Sequence, residues 1–312
     1  MTLFNSGKIL ITGARGMLGG SISKIARSSG WDIVAPSRDE LDLRKPLETM
    51  KFLASHEIRA LIHCAARVGG IQANINYPAD YILENIQIDS SVLAAARSLK
   101  VPNLIYFGSS CMYPSETNQP MKIDQLHSSK LESTNESYAL SKLVGAKTVT
   151  SVAKQDGLNW KVLIVSNLYG PGDNFDPRSS HLVAAIIRKT YEAKEQNLRN
   201  IEIWGDGQAR REFTFVDDVS KFVIGNLVQS ESWPVMMNIG YGIDFSINEY
   251  YRMVADVLSF EGEFVHNLDR PEGMKRKLLD SDEALKLGWK PETDVKSGLE
   301  ATVKWFREHH DD

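Results

Sequence analysis

The fold class this sequence predicts is a doubly wound parallel α/β sheet with a smaller C-terminal lobe, and three observations carry that prediction. Apolar runs of strand length alternate with helical patterns through the first half of the chain. Glycines stand at positions 13, 16 and 19, directly after the first run. The second half loosens into short segments separated by Gly, Pro and Asp. With 312 residues, 42% of them hydrophobic, the chain can bury one large core, and there are no internal repeats or low-complexity linkers to divide it. Lys and Arg number 36 against 40 Asp and Glu, a formal charge of -4 with no block of one sign, so no nucleic-acid partner is expected. Cys64 and Cys111 are too few for a disulfide framework and fit a reducing cytoplasm. The N-terminal apolar run is too short for a secretory signal. No run approaches the ~20 residues of a membrane span, so neither a leader nor a membrane partner is expected.

The first element, in KILITGARGMLGGSISKIAR, is a strand at Ile9 to Thr12, followed by the glycines and a helical pattern carrying Ile22 and Ile25. A strand, glycine turn and helix N-terminus let the backbone approach a pyrophosphate and meet it with free N–H groups. The spacing is GxxGxxG, and its place at the head of a β-α alternation makes the sheet Rossmann-type. Gly13, Arg15, Gly16, Met17, Leu18 and Gly19 are therefore candidate dinucleotide contacts. The second strand, Ile33 to Ala35, runs into Pro36, Ser37 and Arg38. An arginine there suits a ribose 2′-phosphate, whereas an acid suits a 2′-hydroxyl. Arg15 and Arg38 favour NADP(H), while Asp39 leaves NADH open. Asp42 reads either as an adenine contact or as a helix N-cap.

ALIHCAARVGG reads as a buried strand, with His63 and Cys64 as core residues, and Ala65 and Ala66 keep the cofactor wall small. Tyr81 to Lys100 is a long helix with an apolar stripe at Ile82, Ile86, Val92, Leu93 and Ala96, placed to cover the sheet or a partner subunit. LIYFGSSCMYP is a strand that breaks at Gly108. If the chain stays extended, Ser109 and Cys111 face the same side at its carboxyl end. SYALSKLVGAKTV is a helix with Tyr138 and Lys142 on one face. A tyrosine can protonate the alkoxide left by hydride transfer, and a neighbouring ammonium is expected to lower its pKa of about 10. Ser109 would bond the carbonyl and Lys142 the nicotinamide ribose. WKVLIVS is a further buried strand before a turn-rich segment.

The segments ITGARGMLGG, AARVGGIQAN, YPADYILENI, GSSCMYP, TNESYALSK, NLYGPGDNFDPRSSH, WGDGQARREFTFVDD and RKLLD resemble the extended short-chain dehydrogenase/reductase family, and closely the GDP-L-fucose synthases, across nearly the whole chain. That resemblance implies an NADPH-dependent enzyme, a multifunctional oxidoreductase and isomerase. It would invert C3 and C5 of GDP-4-keto-6-deoxy-D-mannose and then reduce C4. The family's inverting cysteine and histidine fall on Cys111 and His181. Val165, Asn167, Leu168 and His181 would border the cofactor. Lys189, Trp204, Arg211, Arg276 and Glu272 would meet the GDP-sugar. A homodimer through the helices at Tyr81 to Lys100 and Tyr138 to Lys154 is implied as well. Residues 1–170, with a segment near 213–237 returning, would form the NADP-binding domain, and 171–312 mainly the substrate lobe. No metal is expected, because His309 and His310 lack partners at ligand spacing.

Alternatives remain at this stage. The same chemistry on a 3,6-dideoxy or heptose GDP-4-keto sugar needs the same residues. A 4,6-dehydratase or 4-epimerase would retain NAD, which Arg15 and Arg38 oppose. A non-catalytic nucleotide sensor would be marked by loss of Tyr138 or Lys142, and both are present.

Overall fold

The structure, a computed structural model, describes residues 7–270 and 273–310. The first half runs β1 (Lys8–Thr12), α1 (Met17–Ser28), β2 (Ile33–Val34), α2 (Pro46–Ala54), β3 (Ile58–His63), α3 (Ile71–Asn76), α4 (Pro78–Ser98), β4 (Asn103–Ser109), α5 (Glu136–Asp156) and β5 (Asn159–Val165). It continues through β6 (Asn167–Tyr169), α6 (Leu182–Glu195), β7 (Asn200–Trp204), β8 (Arg210–Arg211), β9 (Phe213–Phe215), α7 (Val216–Gly225) and β10 (Met236–Ile239). The last elements are β11 (Phe245–Ser246), α8 (Ile247–Leu258), β12 (Glu263–Asn267), β13 (Arg276–Lys277), α9 (Asp282–Lys286) and α10 (Val295–His309).

Six strands form one sheet in the order β10-β5-β4-β3-β1-β2, and every pairing in it is parallel. Parallel strands need crossovers on both faces, so both faces of the sheet are apolar. Alternate residues divide between two cores as the period of two requires. Leu104 and Tyr106 of β4 pack under α4 and α5 with Trp160 and Val162 of β5, whereas Ile105, Phe107 and Leu163 pack under α1 and α7. Trp160 is fully buried and its indole N–H donates to the Val101 carbonyl at 2.9 Å, so a large apolar residue is buried without an orphaned donor. A third core joins α6, α8 and α10 around Ile186, Ile187, Tyr250, Leu299 and Phe306. Three small sheets, β11-β8-β13, β12-β7 and β6-β9, connect this lobe to the carboxyl edge of the large one.

Two local features position the site. Gly13 takes a left-handed φ of +69°, and a Cβ there would lie 2.8 Å from the backbone of Ala65; only glycine permits the turn. Helix α5 ends at Gly157, again left-handed, while its N-cap residue Asn135 makes no side-chain cap. The Asn135 amide is directed elsewhere, as described below. Among the described residues, no helix is long and apolar enough to cross a membrane.

Candidate active site

The turn after β1 and the start of α1 form a cradle with the composition an anion needs. Gly16 is the N-cap of α1, no side chain caps it, and the first turn holds no acid, so the N–H groups around Met17, Leu18 and Gly19 are open to a phosphate. These residues therefore fit the pyrophosphate of a dinucleotide. Ala65 and Ala66 follow β3 beside Gly13. The Thr12 hydroxyl accepts from the N–H of Cys64 (3.1 Å) and of Ala65 (3.2 Å), which locks the two strand ends together. Val165 closes β5, and Asn167 and Leu168 open β6, whose partner is β9.

At the adenosine end Arg15 pairs with Asp39 at 3.2 Å, which neutralises the acid that had left NADH open, and Arg38 is exposed. Asp42 is not an N-cap, because α2 begins at Pro46 with Lys45 as its cap. Its carboxylate instead accepts from the Arg44 backbone and guanidinium, which hold it well below the ordinary carboxylate range.

The strand β4 stops at Ser109, and the chain then makes a single 3-10 turn, Ser110–Met112. Cys111 is therefore not in extended chain after Ser109, as expected from the spacing of two. Its N–H bonds the Ser109 hydroxyl at 3.3 Å. The tightened turn still brings both side chains to Tyr138, whose phenol is hydrogen-bonded to Ser109 and feels the Cys111 sulfur. Burial, and after it the Cys111 sulfur, push the Tyr138 phenol above its ordinary pKa, against the Ser109 bond. The expected lowering by Lys142 is not what the geometry delivers. The buried Lys142 ammonium lies over the Tyr106 ring, 4.1 Å from its centroid, facing inward. A phenol that keeps its proton is what a general acid requires.

Around Cys111 the structure assembles groups from three distant segments, and His181 lies close enough to one of them, Lys277, to feel its charge. Asn135 Nδ2 donates to Sγ at 3.2 Å, which accounts for the missing cap on α5. Lys277 Nζ lies 3.6 Å from the same sulfur. Buried Arg211 is close enough for its charge to act on it. His181 is the N-cap residue of α6, and the segment before it is tied to the loop after β3 by Gly70 N–H to Ser179 O, 2.9 Å. Burial and then the Lys277 ammonium push the His181 imidazole below its ordinary range, so it is neutral near pH 7.

Lys277 carried no signal in the sequence, and strand register explains its role here. In β13, paired in parallel with β8, Arg276 lies opposite Arg210 and Lys277 opposite Arg211. Arg210 and Arg276 both bind the buried carboxylate of Asp244, so Arg276 is engaged away from the cysteine. Lys277 and Arg211, one residue on, turn to the cleft. Further out, Trp204 has Lys189 Nζ 5.4 Å and the Arg270 guanidinium 4.9 Å from its ring centroid, two cations at one aromatic ring. Glu272 lies outside the described residues.

A model of the NAD dependent epimerase/dehydratase family matches residues 9–240, which include the glycine turn, Ser109, Cys111, Tyr138, Lys142 and His181. The chain belongs to that family. Within the family it is 42% identical to a GDP-L-fucose synthase of Azorhizobium caulinodans, over 96% of both chains. It is 39% identical to a GDP-L-colitose synthase of Yersinia pseudotuberculosis, over 96% of this chain and 97% of the relative. Among solved structures, a GDP-6-OMe-4-keto-L-xylo-heptose reductase from C. jejuni superposes with a TM-score of 0.89 at 29% identity, covering 99% of each chain. A GDP-mannoheptose C4 reductase from Campylobacter jejuni with NADP bound gives 0.87 at 30% identity, over 97% of this chain and 98% of that one. Against this family background the residues that sequence reasoning missed are Asn135, Lys277 and Arg270. Asn135 was signalled only by its place at the start of the YxxxK helix.

Proposed function

We propose that the protein is an NADPH-dependent epimerase/reductase that converts GDP-4-keto-6-deoxy-D-mannose to GDP-L-fucose. The observation that carries this reading is that Cys111 lies beside Lys277 and within electrostatic reach of Tyr138, while the Lys277 charge also reaches His181. A plain reductase needs only Ser109, Tyr138 and Lys142, whereas inversion next to a ketone needs a proton acceptor and a proton donor as well. Cys111 and His181 form that second pair. Asn135 and Lys277 orient the sulfur and supply positive charge beside it. NADPH, when bound, supplies the hydride. Ser109 then holds the C4 oxygen and Tyr138 gives it a proton. Arg15 and Arg38 take the 2′-phosphate, Gly13 to Gly19 the pyrophosphate, and Val165, Asn167 and Leu168 the nicotinamide edge.

The GDP moiety extends toward Lys189, Trp204 and Arg211, where a planar aromatic and three cations counting Arg270 suit a guanine and a diphosphate. In this reading residues 1–170, with the segment near 213–237, hold the dinucleotide and the rest holds the sugar nucleotide. The enzyme works in the cytoplasm as a homodimer. Supporting the dimer, α4 and α5 leave between them an open groove of about 750 Å³ lined by Ile86, Leu93, Val144 and Val152, with Leu83 and Val144 exposed.

A second reading is favoured by the colitose and heptose enzymes among the relatives: the same site acting on a GDP-4-keto sugar with other substituents at C3 or C6. The deciding experiment follows NADPH absorbance with GDP-4-keto-6-deoxy-D-mannose and identifies the product by NMR. No oxidation with that sugar, together with turnover of a dideoxy or heptose analogue, would replace the first reading with the second.

A further inference from the structure

Beneath the reductase residues lies a polar chain that the reaction as described does not use. Lys142 Nζ rests on the Tyr106 ring, and the Tyr106 hydroxyl donates to Asp89 Oδ2 at 2.6 Å. Asp89 Oδ1 is 3.1 Å from His63 Nε2, and His63 Nδ1 is 2.7 Å from Thr12 Oγ1. All five residues are buried, none more than 5% exposed. The hydrogen positions follow from counting. Thr12 Oγ1 already accepts two backbone N–H groups, so its single proton goes to His63 Nδ1. Nε2 of His63 then carries the ring proton and donates it to Asp89. Asp89 is thus a carboxylate that accepts from His63 and Tyr106, and among the described residues no Lys or Arg pairs with it. The buried cation whose charge acts on it is Lys142.

The backbone is built to allow this. A Cβ on Gly145 would lie 2.2 Å from the Tyr106 hydroxyl and 2.4 Å from Asp89 Oδ2, so α5 reaches this depth only with glycine there. The groove between α4 and α5 also reaches Asp89.

We propose that Asp89 is a positioning residue of the reductase site, a buried counter-ion that holds the Lys142 ammonium turned toward Tyr106 and whose own charge acts on Tyr138. This rests on the reading of Tyr138 and Lys142 as the reducing pair. The electrostatics agree with the geometry. Burial drives Lys142 below its ordinary pKa and the Asp89 charge opposes that fall. Burial would raise Asp89, but Lys142, His63 and Tyr106 outweigh it and leave the carboxyl below its ordinary value. Asp89 also adds to the forces holding the proton on Tyr138. The groups facing this cluster are His63 and Cys64 from β3 and its exit, Tyr106 from β4 and Tyr81 from α4, with Cys111 at the mouth.

Loss of the Asp89 charge acts in one direction on both partners. Lys142 gives up its proton at lower pH, and Tyr138, relieved of a nearby anion, does the same. The test is Asp89→Asn in the full chain, with two measurements. Carbon-13 NMR of the lysine ε-carbons, with Lys142 assigned by its loss in Lys142→Met, is expected to show Lys142 titrating about one pH unit lower, a tenfold weaker hold on the proton. The high-pH limb of kcat/KM for NADPH-dependent reduction is expected to move down with it, while a merely structural role would lower the rate equally at all pH values. An unmoved Lys142 titration, or a moved titration with an unmoved limb, overturns the proposal. Tyr106→Phe keeps the ring and removes one donor from Asp89, so it is expected to move Lys142 the opposite way, and it covers the case in which Asp89→Asn fails to fold. No movement in Tyr106→Phe likewise overturns it. The NMR titration needs no sugar, so a wrong substrate assignment would appear as absent turnover with the Lys142 shift intact.

Discussion

Gly145→Ala sets helix propensity against packing at one atom, and the two predict opposite signs. In the middle of α5, replacing glycine by alanine gains about 1 kcal/mol of helix propensity. The new methyl, however, would sit 2.2 Å from the Tyr106 hydroxyl and 2.4 Å from Asp89 Oδ2, far inside contact distance of a buried hydrogen bond. Overpacking a well-filled core costs roughly 1–3 kcal/mol. Disturbing the Tyr106–Asp89 bond adds roughly 1–3 kcal/mol more if either group loses its partner. The expected net effect is destabilisation by about 1–5 kcal/mol, read from urea unfolding as a lower midpoint with an unchanged slope. Because relief comes by moving α5 outward with Tyr138 and Lys142, kcat is expected to fall about tenfold or more. A variant as stable as the parent or more so, with kcat intact, would refute the packing argument and leave Gly145 as an ordinary helix position.

Four further outcomes are expected. Cys111→Ser should impair C3/C5 inversion, followed by deuterium exchange into the sugar, more than C4 reduction of an already epimerised sugar; equal loss would make the cysteine structural. Lys277→Gln should lower the exchange rate more than Arg276→Gln, since only Lys277 reaches Sγ while Arg276 is bound to Asp244; the reverse order would argue against the strand register described. Arg38→Ala should raise the NADPH KM far more than the NADH KM, and parallel changes would remove Arg38 from the 2′-phosphate. Asp173 is buried, its Oδ2 has no partner, and burial raises its carboxyl from the ordinary 3.8 to about 7. A raised folded pKa means that the unfolded chain loses this proton first, so its contribution to stability is present below pH ~4 and is lost as pH rises to about 7. Asp173→Asn should remove that loss and stabilise the protein at pH 8, by at most about 4 kcal/mol at about 1.36 kcal/mol per pH unit over the interval. No gain in melting temperature at pH 8 would show that the carboxylate is satisfied in solution.

Local order was legible in the sequence because it depends on near neighbours. The period of two in LIYFGSS, the glycines after KILIT and the four-residue step from Tyr138 to Lys142 each specify a backbone conformation and a face over a few residues. They were enough to predict the parallel sheet, and to place the glycine turn after its first strand and Tyr138 and Lys142 on one helix. His63 was read as a core residue, and it is buried, but its place in a polar chain from Thr12 to Asp89 depends on two strands and a helix meeting.

The tertiary structure alone decided what surrounds the reactive groups. The turn at Ser110–Met112 depends on what packs over it, so Cys111 reaches Tyr138 by a route that extended spacing did not predict. Whether Arg276 or Lys277 faces the sulfur is set by the pairing of β13 with β8, and a one-residue step exchanges the two faces. The direction of the Lys142 ammonium is set by a carboxylate fifty-three residues earlier in the chain, buried where a charge must find its counterpart. Sequence spacing determined which side chains share a helix face or a strand end. Charge balance in the buried interior, which sums over the whole fold, determined how those side chains are protonated and where they point.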